Sequence, residues 1–200
     1  MTRVAAVVAA ALAFAFPAAA AQAPTLEASP TTVGMLSQVS LSGSTGRTKA
    51  GLTVYIEAKE CRSSFYRVVA ATQSGSGGSW ATTAPAQITT SYRARVGRAY
   101  SRPALVQKRA VLSLSKLTGR IFLIRAFGGG ALVGKTIRIE RYADSGWKLM
   151  QRAKLRQSDI FGVVETTVRI RRAGLRVRAF IQQSQARPCY VAGASTIIRS

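Results

Sequence analysis

Apolar and polar residues alternate at period two in short runs, and these runs are separated by glycine, proline and small polar residues. Gln38-Val39-Ser40-Leu41-Ser42-Gly43 is one such run and predicts a half-buried strand. Ser44 to Ala50 is a polar turn. Gly51 to Glu57 alternates again, which predicts Leu52, Val54 and Ile56 on the inward face. Further strands are predicted over Leu26 to Pro30, over Phe65 to Thr72 and from Trp80 to the break at Ala84-Pro85-Ala86. Two more are predicted around Tyr92 and from about Ala104 to Val111, and Ser74 to Ser79 forms a glycine-rich loop. Seven short strands, with no helical period anywhere after the N-terminal segment, predict an all-β sandwich.

The second half of the chain follows the same order. Val54 and Ile56 match Ile137 and Ile139 at an offset of 83 residues, and Glu57 falls near Glu140. Phe65 is matched to Trp147, Trp80 to Phe161, Tyr92 to Leu175 and Pro103 to Pro188, at offsets of 81 to 85. A period of this length suits two domains of one sandwich each. The expected organisation is a first sandwich over residues 24–108 and a second over residues 109–200. Positions aromatic in both copies are expected in the core, whereas Tyr142 lacks a counterpart and is expected at the surface.

Gly77-Gly78-Ser79-Trp80, then Thr89-Thr90-Ser91-Tyr92-Arg93-Ala94 and Ser101, resemble the late strands of bacterial secreted and cell-surface immunoglobulin-like repeats. Gly134-Lys135-Thr136-Ile137 and Gly146-Trp147 resemble the middle strands of the same modules. The resemblance covers nearly all of the chain after the N-terminal segment. It implies two tandem immunoglobulin-like β-sandwich domains, of the kind that serve as spacers, adhesins or accessory binding modules. Leu175 stands where the tyrosine would be in the second copy, so a tyrosine-corner hydrogen bond is expected in the first domain only.

The N-terminus changes the expected compartment. Arg3 precedes an apolar run from Val4 to Phe16, Pro17 ends it, and Ala19-Ala20-Ala21 supplies small residues. This predicts a secretory signal peptide over residues 1–21, cleaved after Ala21. The run is short for a membrane anchor. No cysteine lies near the cleavage site and no hydrophobic tail closes the chain, so neither a lipid anchor nor a sorting signal is expected. The protein is expected outside the cytoplasm, secreted or held at the cell surface, with no transmembrane segment after cleavage.

Export gives the two cysteines a redox context. Cys61 follows the third strand of the first sandwich, and Cys189 follows the turn after the sixth strand of the second. In an end-to-end tandem those two ends face each other, so a Cys61–Cys189 bridge between the domains is expected. Two free thiols, or pairing with other chains, are the alternatives.

Charge suggests a partner class. The chain carries 29 Lys and Arg against 7 Asp and Glu, for a net +22. Most of the excess falls in the second half, where Arg169-Ile170-Arg171 and Arg176-Val177-Arg178 alternate. That alternation puts Arg169, Arg171, Arg176 and Arg178 on solvent faces of their strands. They are the candidate polyanion-binding residues, although arginine on strands also discourages edge-to-edge aggregation. The expected partner is an anionic cell-envelope polymer or another surface protein, with no dedicated nucleic-acid role.

The chain contains no histidine, so it lacks the commonest acid-base and metal-binding side chain. A Ser-His-Asp triad cannot be built, and Asp144 and Asp159 sit in turn-like segments. No catalytic, cofactor-binding or metal-binding residue is nominated. The expected function is a non-enzymatic structural or interaction role at the cell surface. The alternative is an accessory module that binds carbohydrate or anionic envelope polymer through the basic strand faces of the second domain.

Overall fold

Val39 and Leu41 are fully buried while Ser40 and Ser42 face solvent, as alternation on a half-buried strand requires. The computed structural model describes residues 22–35 and 38–200. The predicted signal segment, 1–21, lies outside the described residues.

Among the described residues nine strands precede Arg109: β1 (Glu27–Ser29), β2 (Thr32–Val33), β3 (Gln38–Ser44), β4 (Thr53–Glu60), β5 (Arg67–Gln73), β6 (Ser79–Pro85), β7 (Thr90–Val96), β8 (Ala99–Tyr100) and β9 (Ala104–Lys108). One sheet has the order β1-β3-β6. The other has the order β2-β9-β7-β4-β5, with β8 paired to β7. Between them lies a core that includes Val39, Leu41, Val54, Ile56, Trp80, Tyr92 and Val106.

After Ala110 come β10 (Val111–Thr118), β11 (Ile121–Phe127), β12 (Thr136–Ala143), β13 (Gly146–Lys154), β14 (Arg156–Gln157), β15 (Val163–Arg169) and β16 (Arg176–Ile181). The single-turn helix α1 (Gln183–Ala186), β17 (Gly193–Ala194) and β18 (Ile198–Arg199) complete the chain. Their sheets run β10-β11-β15-β14 and β13-β12-β16-β17, with β18 also on β16. A second core fills the space between, with Phe122, Ile124, Ile137, Ile139, Val177 and Ile181 fully buried. The architecture is all-β, as expected. One helical turn is too short to leave a period in the sequence.

Three expectations need correction. The strand expected from Ala104 to Val111 is two strands, interrupted at Arg109-Ala110. There the Val191 N–H donates to Lys108 O and the Ala110 N–H donates to Val191 O, so the backbone bonds to the segment after Cys189 rather than to a ladder.

The two halves share a strand register at their glutamates, but it is shifted from the sequence matching. Both β4–β5 and β12–β13 carry a bulge at the glutamate, between Ile56 and Glu57 and between Ile139 and Glu140. Beyond the bulge, Glu57 pairs with Val68 and Glu140 with Leu149, which aligns Tyr66 (not Phe65) with Trp147. Glu57 pairs with Arg93 and Glu140 with Arg178, so Tyr92 corresponds to Val177 rather than Leu175. The Ala94 N–H donates to Ser101 Oγ and the Ala179 N–H to Ser195 Oγ, both at 2.9 Å. Ser195, not the Ala186–Pro188 turn, is therefore the counterpart of Ser101. A constant offset fails because Glu140 and Arg178 are 38 residues apart where Glu57 and Arg93 are 36, and because α1 and its loop follow β16.

The aromatic rule fails with it. Trp80 is buried as expected, but Phe161 is fully exposed, Phe65 is largely exposed, and Trp147 lies on an outer sheet face. Tyr142, expected at the surface, is 40% exposed.

Candidate functional site

The outer face of each large sheet carries one arrangement of glutamate, arginine and aromatic side chains. A strand bulge turns the Glu57 carboxylate under its neighbours, where it accepts from Arg93 Nε at 2.9 Å and Arg95 Nε at 2.7 Å. The Arg93 guanidinium lies 4.0 Å from the Tyr66 ring centroid and 4.1 Å from that of Tyr100, and Arg95 lies 4.4 Å from that of Tyr55. Burial pushes the Glu57 carboxyl up, but hydrogen bonds from Arg95 and Arg93, with their charges, outweigh it and hold the group below the ordinary glutamate value.

In the second copy Arg178 takes the Arg93 role. Its Nε and Nη2 donate to one Glu140 oxygen at 3.0 and 2.9 Å, and it lies 4.1 Å from the Trp147 ring centroid. Arg138 Nε approaches the other oxygen to 3.0 Å, although its N–H is not aligned for a hydrogen bond. Tyr55 pairs across the strands with Arg95, while Arg138 pairs with Phe180. The arginine and the aromatic have exchanged strands, yet each carboxylate still receives a second guanidinium.

These contacts sort the candidate arginines. Arg178 is occupied by Glu140 and Trp147 and is largely covered. Arg169, Arg171 and Arg176 are exposed and form no ion pair among the described residues. Arg169 and Arg176 belong to different sheets. The structure adds Arg120, Arg172 and Arg199 at the same end of the second unit, all exposed. Sequence spacing could not find Arg120 and Arg199, which a hairpin and a C-terminal strand bring there, whereas Arg172 directly follows Arg171.

The two cores meet at the cysteines. Cys61 and Cys189 are disulfide-bonded, 5.3 Å apart at Cα and 128 residues apart in sequence. The Cys61 N–H donates to Thr89 O, the Thr89 N–H donates to Cys189 O, and the Lys108 N–H donates to Thr89 Oγ1. Cys61 and Ile88 pack against the second core. Gly193 lets β17 close on the link between strands, since a Cβ there would fall 1.8 Å from Ala110 O. The expected bridge is present.

Beside the bridge is a cleft of about 710 Å³, with Lys108, Val111, Phe127, Gly128, Gly162 and Tyr190 among its walls. Lys108 is 6% exposed, and burial pushes its ammonium below the usual lysine range. Its side chain has no ion pair or hydrogen-bond partner among the described residues. Lys108→Met is expected to stabilise the protein by less than about 1 kcal/mol, because an apolar chain replaces a partly desolvated, unpaired charge on the cleft wall. The native deficit is fully present below the folded-state pKa and disappears above the unfolded one. The gain should therefore shrink as pH rises toward the ordinary lysine value. Urea unfolding at neutral and alkaline pH measures this, and a destabilised variant would show that a partner holds the amine.

Four carboxylates, Glu57, Glu60, Glu140 and Glu165, are held by arginines. Among the described residues no group of three or more His, Cys, Asp or Glu could hold a metal ion. No helix among them is long and apolar enough to cross a membrane. No protein-family model matches the chain, and no curated protein matches it.

Proposed function

We propose that the protein is an exported, non-enzymatic pair of immunoglobulin-like β-sandwiches, over residues 24–108 and 109–200, with a structural or interaction role at the cell surface. Strand order supports the fold. In each half the first, second and fifth major strands share one sheet, while the third, sixth and last share the other, as in immunoglobulin-like sandwiches. Tyr92 Oη donates to Pro85 O at 2.6 Å, in the manner of a tyrosine corner, and Val177 at the matching place cannot repeat it.

The observation that carries the functional reading is the Cys61–Cys189 bridge. A structural disulfide persists in an oxidising compartment, which agrees with the signal-like N-terminus. The bridge joins the ends of two separately cored units, so it sets their mutual orientation. A fixed orientation is useful to a brace or a display module. Glu57 and Glu140 point the same way, since each is engaged by arginines on a sheet face.

Fractionation of cells expressing the full chain, with N-terminal sequencing of the product, tests the proposal. The expected result is protein in the medium or accessible to an impermeant label on intact cells, beginning at Gln22. A full-length, cytoplasmic product with reduced thiols would refute it.

A further inference from the structure

We propose that the end of the second sandwich remote from the disulfide binds a linear polyanion that carries phosphodiester or carboxylate groups in series. This deepens the interaction role proposed above and rests on it for where the partner is met. The binding chemistry itself comes from the arginines.

Topology gathers six of them. β10 leaves the junction at Val111 and reaches the remote end at Thr118, where the hairpin to β11 presents Arg120. β15 arrives at the same end, since Ile121 pairs with Arg169 and the Ile170 N–H donates to Arg120 O. Arg120 Nη1 in turn donates to Arg171 O. The C-terminus closes the group: Ser200 Oγ donates to Arg172 O, and Arg176 lies directly opposite Arg199 in the β16–β18 pair.

All six side chains are exposed, and none is in an ion pair among the described residues. Asp144, in the turn between β12 and β13, is also at this end and is likewise unpaired.

Fold stability does not account for this arrangement. Like charges directly opposite on paired strands repel. At the two sheet-face sites where Arg93 meets Arg95 and Arg138 meets Arg178, Glu57 and Glu140 lie between them. At the remote end neither Asp144 nor any other carboxylate among the described residues is in ion-pair contact with the six arginines, which leaves them open to an anion from outside. Guanidinium forks match phosphate and carboxylate oxygens.

A flexible chain fits better than a bilayer. Arg169 belongs to one sheet and Arg176 with Arg199 to the other, on outer surfaces separated by the thickness of the sandwich. A plane meets one of those surfaces at a time, whereas a polymer can pass around the end.

The test uses the mature chain and long-chain polyphosphate as the probe, titrated over a range of salt. The Arg120→Gln/Arg172→Gln variant is expected to bind at least about tenfold more weakly. Its log-affinity should fall less steeply with log-salt, by a slope of about 1 to 2. Arg47→Gln/Arg98→Gln, which removes two exposed charges from the first sandwich, should stay within about twofold of the parent. Equal losses in the two variants, or no binding by the parent at low salt, would overturn the proposal. Capture by anionic vesicles without binding of the polymer would overturn the choice of partner. Neither failure bears on export, which the N-terminal sequence and thiol state decide separately.

Discussion

Glu140→Ala is expected to destabilise the protein by about 3 kcal/mol, because it leaves Arg138 and Arg178 facing each other without their shared carboxylate. The Glu140 side chain is only 4% exposed and those of its arginines about a quarter. Lost burial is a small part of the effect; most of it is the cost of two half-buried charges left uncompensated. Glu60→Ala is the comparison. Glu60 pairs with Arg67 at side-chain exposures of 42% and 61%, and loss of such a pair should cost less than about 1 kcal/mol. Urea denaturation of both variants gives the answer. Equal, small shifts would mean that the buried network is no stronger than an exposed pair.

Glu57 extends the test to pH. Its folded-state pKa lies below the ordinary value, so its contribution is present above the unfolded-state pKa and is lost as pH falls through the folded one. Glu57→Gln should flatten the acid limb of the stability profile relative to the parent.

Loss of the disulfide should have the largest effect. A bridge across 128 residues restricts the unfolded chain by about 4–5 kcal/mol from loop-closure entropy. Each core is made of its own sheets, so Cys61→Ala/Cys189→Ala should not abolish folding. It should lower the unfolding midpoint and separate one transition into two. Proteolysis should become faster at Arg109, which in the parent pairs with Val191. Calorimetry with and without reductant measures the first effect and timed trypsin digestion the second. A calorimetric trace unchanged by reductant would contradict the account.

Strand existence was legible because alternation is local: Val39, Leu41, Val54 and Ile56 could be placed inward from their own neighbours. Register was not. Tyr66 and Trp147 align only through the shared bulge, and the second sixth strand slips because Arg178 lies 38 residues after Glu140 where Arg93 lies 36 after Glu57. The outward direction of Arg93, Arg95, Arg176 and Arg178 could be read from the pleat. Their availability could not, since Arg93 and Arg95 meet a carboxylate 36 to 38 residues away and Arg176 meets none. The exchanged pairs Tyr55–Arg95 and Arg138–Phe180 hide the repeat further, because neither strand alone conserves its residue types. Cys61 and Cys189 were legible for the opposite reason. Strand direction alone decides at which end of a sandwich a connection emerges, and small register errors do not move it to the other end.

The central claim is that two exported sandwiches are held as one body by a bridge at their junction. Peptide mapping by mass spectrometry, on protein recovered outside the cell and digested without reductant, tests it most directly. The account predicts one linked pair containing Cys61 and Cys189, and no alkylatable thiol. Two free cysteines in the exported monomer, or either cysteine linked to another chain, would contradict it.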